Sequence, residues 1–307
     1  VAEGDDADAA VAEAGRRTQS RRDLSRHERF EQVSPEVGML DEAALGDAMA
    51  EDPDEALALL ADLTGATDPA LRELARRLAG RLFLDIARRG PTRRRGIGRI
   101  VEQAYRPDGG DLDLDASMDA LAEARARGGA VDPERLRVRG WRRPGLALCL
   151  LVDRSGSMGG QPLATAAVAA AAVACRTPDD YSVLAFAKDV VAAKSQDVPK
   201  PSERVVTDVL ALRGFGTTDV AGALRAAQEQ LARSRAGRRM AVLLSDCRAT
   251  VPGDAAAAAR GLDELVIVAP AGDADEARAL ADAVGARLAT VRGPSDVADA
   301  LTRALDT

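Results

Sequence analysis

The stretch Leu151-Val152-Asp153-Arg154-Ser155-Gly156-Ser157-Met158-Gly159-Gly160 decides how this chain is read. An apolar run, Leu146 to Val152, enters it, and a small-residue segment suited to a helix leaves it near Pro162. Strand, polar Gly-containing turn and helix is the arrangement in which α/β proteins bind ligands, outside the carboxyl end of a strand. The turn puts one carboxylate and two hydroxyls at alternate positions, Asp153, Ser155 and Ser157, and Gly156 permits a sharp bend. All three are hard oxygen donors with no His or Cys beside them, so Mg²⁺ or Mn²⁺ suits the set better than zinc. The alternative reading is that the same side chains only cap the following helix.

Two later stretches follow the same logic. Gly214-Phe215-Gly216-Thr217-Thr218-Asp219 precedes an expected helix, and Val242-Leu243-Leu244-Ser245-Asp246 ends an expected strand. In this order the three motifs resemble the von Willebrand factor A (VWA) domain and its metal-ion-dependent adhesion site. That family's pattern is Asp-x-Ser-x-Ser, a Thr in a later Gly-rich loop, and an Asp ending a still later strand. The resemblance covers about Pro144 to the C-terminus. It implies that Ser155, Ser157 and Thr218 ligate Mg²⁺ (or Mn²⁺) directly, with Asp153 and Asp246 supplying charge, partly through water and through hydrogen bonds to the serines. It also implies a metal short of one carboxylate, which an Asp or Glu of another protein supplies. Thr218, directly before Asp219, matches the family position better than Thr217, and Asp219 is then expected to cap the next helix. Where the family commonly has Thr-Asp-Gly, this chain has Ser245-Asp246-Cys247, which puts the geometry of that loop in question. Cys247 itself reads as a small core residue rather than a redox switch.

The C-terminal half alternates regularly. Strands are expected at 146–152, 181–186, 190–193, 240–245, 264–268 and 287–291, with helices at 162–175, 202–212, 219–234, 255–260, 273–284 and 295–305. Runs such as Leu265-Val266-Ile267-Val268 are apolar on both faces, the mark of a parallel sheet covered by helices on each side. The expected fold is α/β, a doubly wound and mostly parallel sheet preceded by a mainly helical N-terminal region.

Three parts are expected: a flexible charged arm over 1–34, a helical region over 35–143, and the VWA-like domain over 144–307. The arm has too few large apolar residues to bury a core alone, and its His27, the only histidine, sits among charges. From Pro35 to Gly90, Leu57, Leu60, Leu63, Leu71, Leu74, Leu78 and Leu82 recur at helical spacing, and Asp52-Pro53 and Asp68-Pro69 read as helix starts. Pro91–Arg99 is a basic, Gly-containing segment, read as a solvated linker or as a contact for an acidic surface. Asp108–Asp115 invites a calcium-loop reading that fails. With Asp111 first, the positions that need Gly and Glu hold Ala116 and Ala122. A short strand near 111–115 and a helix from about Ala116 to Arg127 fit better. Residues 135–143 alternate basic and apolar side chains, as in a strand, with Trp141 as a packing anchor.

Composition bounds the rest. With 307 residues, 46% apolar and 30% charged, the chain is long enough for about two soluble domains. A net charge of −7 argues against a general nucleic-acid binder. The three cysteines include no Cys-x-x-Cys pair, so neither a disulfide framework nor a zinc site is indicated, and a reducing cytoplasm is expected. No secretory apolar region lies near Val1, and the longest apolar run, Pro162–Cys175, is too short to span a bilayer. The chain opens on Val1 rather than Met, so its natural start is expected upstream or trimmed. No Walker A loop occurs.

The leading expectation is a non-enzymatic, Mg²⁺-dependent interaction module. The layout resembles VWA proteins that work with MoxR-type AAA+ ATPases, the CoxE-like group and the D subunit of magnesium chelatase. That resemblance implies an adaptor joining a AAA+ ATPase to a client protein, in remodelling or metal insertion. Two other readings stand beside it: a structural subunit that self-associates, and a metal-dependent hydrolase. Against the hydrolase, Arg154 and Arg248 are the only nearby cations, and a haloacid-dehalogenase-type phosphatase needs a second Asp where Ser155 stands.

Overall fold

The computed structural model describes residues 1–16, 18–89, 99–104, 111–127, 131, 136–142, 145–154, 160–212, 214 and 216–306. Two compact units emerge, one of Val1–Arg93 with Leu146–Thr307 and one of Arg94–Gly145.

The first unit opens with helices α1 (Gly4–Ala14), α2 (Arg21–Leu24), α3 (Phe30–Val33), α4 (Glu42–Glu51), α5 (Pro53–Leu63) and α6 (Pro69–Arg89). The two Asp-Pro pairs start helices, as expected. Asp52 Oδ1 accepts the Glu55 amide at 3.1 Å and Asp68 Oδ1 the Leu71 amide at 2.7 Å. Proline follows each cap, where a missing N–H costs nothing.

The smaller unit holds β1 (Arg99–Ala104), β2 (Asp111–Leu112), α7 (Leu114–Arg127) and β3 (Arg137–Arg142), with antiparallel strand order β1-β3-β2. The alternating stretch around Trp141 forms β3. Asp113 is buried and its Oδ1 accepts the Ala116 amide at 3.2 Å, so the acidic stretch serves a strand and a helix start. The basic segment 91–98 lies outside the described residues.

From Leu146 the chain builds β4 (Leu146–Asp153), α8 (Gly160–Arg176), β5 (Tyr181–Phe186), β6 (Val190–Lys194), α9 (Ser202–Ala211) and α10 (Val220–Ala232). It continues through β7 (Arg238–Leu244), α11 (Ala255–Ala259), β8 (Glu264–Pro270), α12 (Asp275–Val284), β9 (Arg287–Val291) and α13 (Val297–Asp306). The six strands lie in the order β6-β5-β4-β7-β8-β9, all parallel to their neighbours except β6. The connection from Phe186 to Val190 is too short for a crossover, so β6 returns antiparallel as a hairpin. This is the expected α/β sheet.

Strand alternation divides the core. Leu148, Leu150 and Val152 of β4 face the cluster that holds α8, α9 and α13, while Ala147, Cys149 and Leu151 face α10, α11 and α12. Helix α8 is buried over most of its circumference from Leu163 through Ala174, with only Thr165 and Ala172 partly exposed. Such a helix needs cover on more than one side. The sheet covers one side, and α5 and α6 cover the other through Leu57, Leu60, Leu63, Ala75 and Phe83.

The N-terminal expectation requires correction. Residues 1–34 do not form a flexible arm: Ala7, Val11, Leu24, Phe30 and Val33 are buried in the same cluster as the sheet. Ala2 exchanges backbone hydrogen bonds with Val190 (2.8 Å) and Ala192 (3.0 Å), extending the sheet past β6. A segment with few apolar residues orders when a ready-made apolar face receives them. His27 is likewise buried rather than solvated. The N-terminal helices thus share one core with the C-terminal sheet, and the boundaries fall at 94 and 145 rather than at 34 and 143. Among the described residues, no helix is long and apolar enough to cross a membrane.

Candidate functional site

The sheet reverses its strand order between β4 and β7, since the chain moves outward from β4 through β5 and β6 and returns to β7. The crevice outside the carboxyl ends of two such strands is where open α/β sheets bind ligands. Here those ends carry Asp153 and the Ser245-Asp246 pair.

Asp153 is half-buried at the last position of β4. Ser245 Oγ donates to Asp153 Oδ2 at 2.6 Å and accepts the Cys247 amide at 2.8 Å, so one hydroxyl ties the two strand ends together. Asp246 Oδ1 accepts the Arg248 amide at 2.9 Å. Cys247 has φ +64, the left-handed backbone that glycine adopts without penalty. A side chain there costs roughly 1 kcal/mol. The question raised by the missing glycine is therefore answered by strain: the turn forms with cysteine in it. Burial first, then the charges of Asp246 and Asp153, push the Cys247 thiol up to about 12. It stays protonated and inert near neutral pH, as expected of a small core residue.

The loop between α9 and α10 lies across these strand ends. A Cβ on Gly214 would stand 1.7 Å from the Arg154 carbonyl oxygen, so only glycine fits there. The Thr218 amide donates to Thr250 Oγ1 at 2.7 Å, and its carbonyl accepts the Thr250 and Val251 amides at 3.1 Å each. Thr218 is buried and Thr217 exposed. The Thr218 hydroxyl makes no hydrogen bond among the described residues. Asp219 donates its amide to the Ala187 carbonyl at 2.9 Å and caps α10 by accepting the Gly222 amide at 2.7 Å.

Asp153, Ser245 and Asp246 share a cleft of about 280 Å³ with Pro162, Val291 and Gly293. Of the five expected ligands, Asp153, Thr218 and Asp246 come to this end of the sheet, and Ser155 and Ser157 lie outside the described residues. Among the described residues, no three His, Cys, Asp or Glu side chains converge as a metal cage. The donors present are carboxylates and hydroxyls, the oxygen chemistry that suits a hard dication. Arg248 pairs with Asp273 at 2.6 Å, and Arg154 is half-buried, with burial lowering its pKa and its Nε left without a partner. Sequence reasoning missed Ser245 and Thr250. A hydroxyl directly before a strand-end Asp was a usable signal for Ser245, whereas nothing local marked Thr250.

Solved structures similar to this chain include an aerotolerance-related membrane protein from Bacteroides fragilis NCTC 9343, at 15% identity and TM-score 0.43, covering 53% of this chain and 99% of that one. A von Willebrand factor type A protein from Catenulispora acidiphila is 19% identical with TM-score 0.41, covering 53% of this chain and 42% of that one. The protein BatB from Bacteroides thetaiotaomicron is 14% identical with TM-score 0.39, covering 53% and 100%. Among curated proteins, none matches. The family described as "VWA domain containing CoxE-like protein" matches residues 74–291, more than half of the chain. With the sheet order and the strand-end aspartates already in place, this chain belongs to the CoxE-like VWA family.

Proposed function

We propose that this chain is a Mg²⁺-dependent protein-interaction module without turnover of its own, an adaptor between a MoxR-type AAA+ ATPase and a client protein. One observation carries the reading. Two carboxylates at adjacent strand ends, Asp153 and Asp246, stand at the switch point of the sheet, where the loop that carries the buried Thr218 also crosses.

In this reading Ser155, Ser157 and Thr218 give neutral oxygens, while Asp153 and Asp246 give charge at one remove, Asp153 being steered by Ser245. Mg²⁺, when bound, supplies positive charge that neutral donors leave under-compensated and a position open to an acidic side chain. The recognised group is then an Asp or Glu carboxylate of the partner. Membership of the CoxE-like family supports the interaction role, and the ATPase follows from the resemblance of the motifs. The cytoplasm is the proposed compartment, since Cys149, Cys175 and Cys247 are all free thiols.

Pull-down from source cells tests this, with wild type and Asp153→Ala, each in Mg²⁺ and in EDTA. The expected result is a AAA+ ATPase or its client retained only by wild type with Mg²⁺. Identical partners under all conditions would overturn the metal-gated reading, and metal-dependent turnover by the purified chain would overturn its non-enzymatic part.

A further inference from the structure

Helix α5 belongs to the N-terminal layer, yet both of its ends reach the loops around the cleft. Near its start, Asp54 Oδ1 accepts the Ser295 amide at 2.8 Å, and Gly293 packs so closely that a Cβ would stand 2.1 Å from Asp54 Oδ2. Near its end, Asp62 is fully buried. Its Oδ1 accepts the Gly160 amide at 3.0 Å and Gln19 Nε2 at 2.9 Å. Its Oδ2 meets His27 Nε2 at 3.0 Å and pairs with Arg26. His27 Nδ1 meets Glu55 Oε1 at 2.6 Å.

Gly160 is the first residue of α8 and stands three positions after Ser157. The leading amides of a helix have no partner within it, and a cap normally comes from the residue just before. Here a carboxylate from another helix supplies it, 98 positions away in the chain. Ser245 thus holds Asp153 at the end of β4, and Asp62 holds the Gly160 amide at the start of α8. Fixing where a loop starts and stops lowers the conformational entropy that a loop loses on organising around a ligand. A buried carboxylate is expensive unless it is paired, and His27 and Arg26 pair this one.

We propose that Asp62 is a positioning residue of the cation site, and that α5 is the brace which fixes Gly160 at the start of α8. The N-terminal helices are then a working part of the site rather than a separate docking module. This rests on the cation reading given above. It is distinct from that reading because Asp62 ligates nothing itself and acts only through the Gly160 amide.

Mn²⁺ binding followed by electron paramagnetic resonance, together with hydrogen exchange at the Gly160 amide, tests it on the full chain. Wild type should bind Mn²⁺ and protect the Gly160 amide, and Asp153→Ala should bind none. Asp62→Ala should weaken Mn²⁺ about tenfold, the usual effect of removing a residue that orients ligands, and should unprotect Gly160. Asp62→Asn keeps an acceptor for that amide and should restore most of the affinity, which a general loss of stability would not allow. If Asp62→Ala does not fold, His27→Gln leaves the carboxylate but removes a cation that holds it, and a smaller loss in the same direction is expected. Equal Mn²⁺ affinity in wild type and Asp62→Ala, with Asp153→Ala silent, would overturn this inference and leave the cation reading intact. No Mn²⁺ binding by wild type would overturn the cation reading and this inference with it.

Discussion

The two faces of the six-stranded sheet are covered in different ways. On one face α10, α11 and α12 form a single layer, burying Leu224, Leu231 and Ala277 while Arg225, Glu229 and Glu276 stay in water. On the other, α8 lies between the sheet and α5 and α6, and its Ala-rich surface is buried except for a partly exposed strip at Thr165 and Ala172. Amphipathic helices end a fold, whereas a helix apolar all round demands another layer. That second layer brings α5 to the edge of the cleft.

The largest expected contrast is in packing. Leu60→Ala, at a fully buried position of α5, should cost about 3 kcal/mol by chemical denaturation, against about 1 kcal/mol for the half-buried Leu280→Ala on the single-layer face. Equal losses would break the comparison, since the N-terminal layer would then not be packed in solution. Overpacking sharpens it. Ala167→Leu in α8 should cost about 2 kcal/mol, while Arg225→Leu on the wet side of α10 should stay within about 0.5 kcal/mol.

Acid–base behaviour probes the double-layered face alone. Burial by itself would lower the His27 pKa, but hydrogen bonds to Asp62 and Glu55 outweigh it and raise the value. Both ring nitrogens face acceptor-only carboxylates, so the cation is the form that satisfies them. A raised folded-state value means the stabilisation is complete below the unfolded-state pKa of about 6.5 and is lost as pH rises through the folded value. The melting temperature of wild type should therefore fall relative to His27→Gln as pH climbs from about 6 to about 9. Parallel curves would remove the buried ion network from the account of this face.

The smallest effect belongs to the turn at Cys247. Cys247→Gly relieves the left-handed backbone but frees the unfolded chain, so stability should change by less than about 1 kcal/mol. With a thiol pKa of about 12, Cys247 should also resist alkylation near neutral pH in the folded protein. Rapid labelling would mean that the loop after β7 is open.

Much of the C-terminal half was legible because parallel strands and amphipathic helices carry their own periods. Tyr181–Phe186 and Arg287–Val291 fall where the pattern put them, and Asp219 caps α10 as its position suggested. Asp153, Thr218 and Asp246 were legible as candidates because each sits where a strand ends or a helix begins. The first 34 residues were misread because low apolar content predicts disorder only for a segment without a partner. Leu24, Phe30 and Val33 find theirs in the rest of the chain.

From the sequence alone came the order of elements, the α/β class and the candidate oxygen donors, all set by local pattern and by residue type. Only tertiary structure decided which distant groups complete them. Nothing near Asp62 in the chain marks it as the cap of α8, and nothing near Ser245 shows that its hydroxyl reaches Asp153. Hydrogen bonds need partners within about 3 Å, and a neighbour 98 positions away becomes one only once the layers have packed.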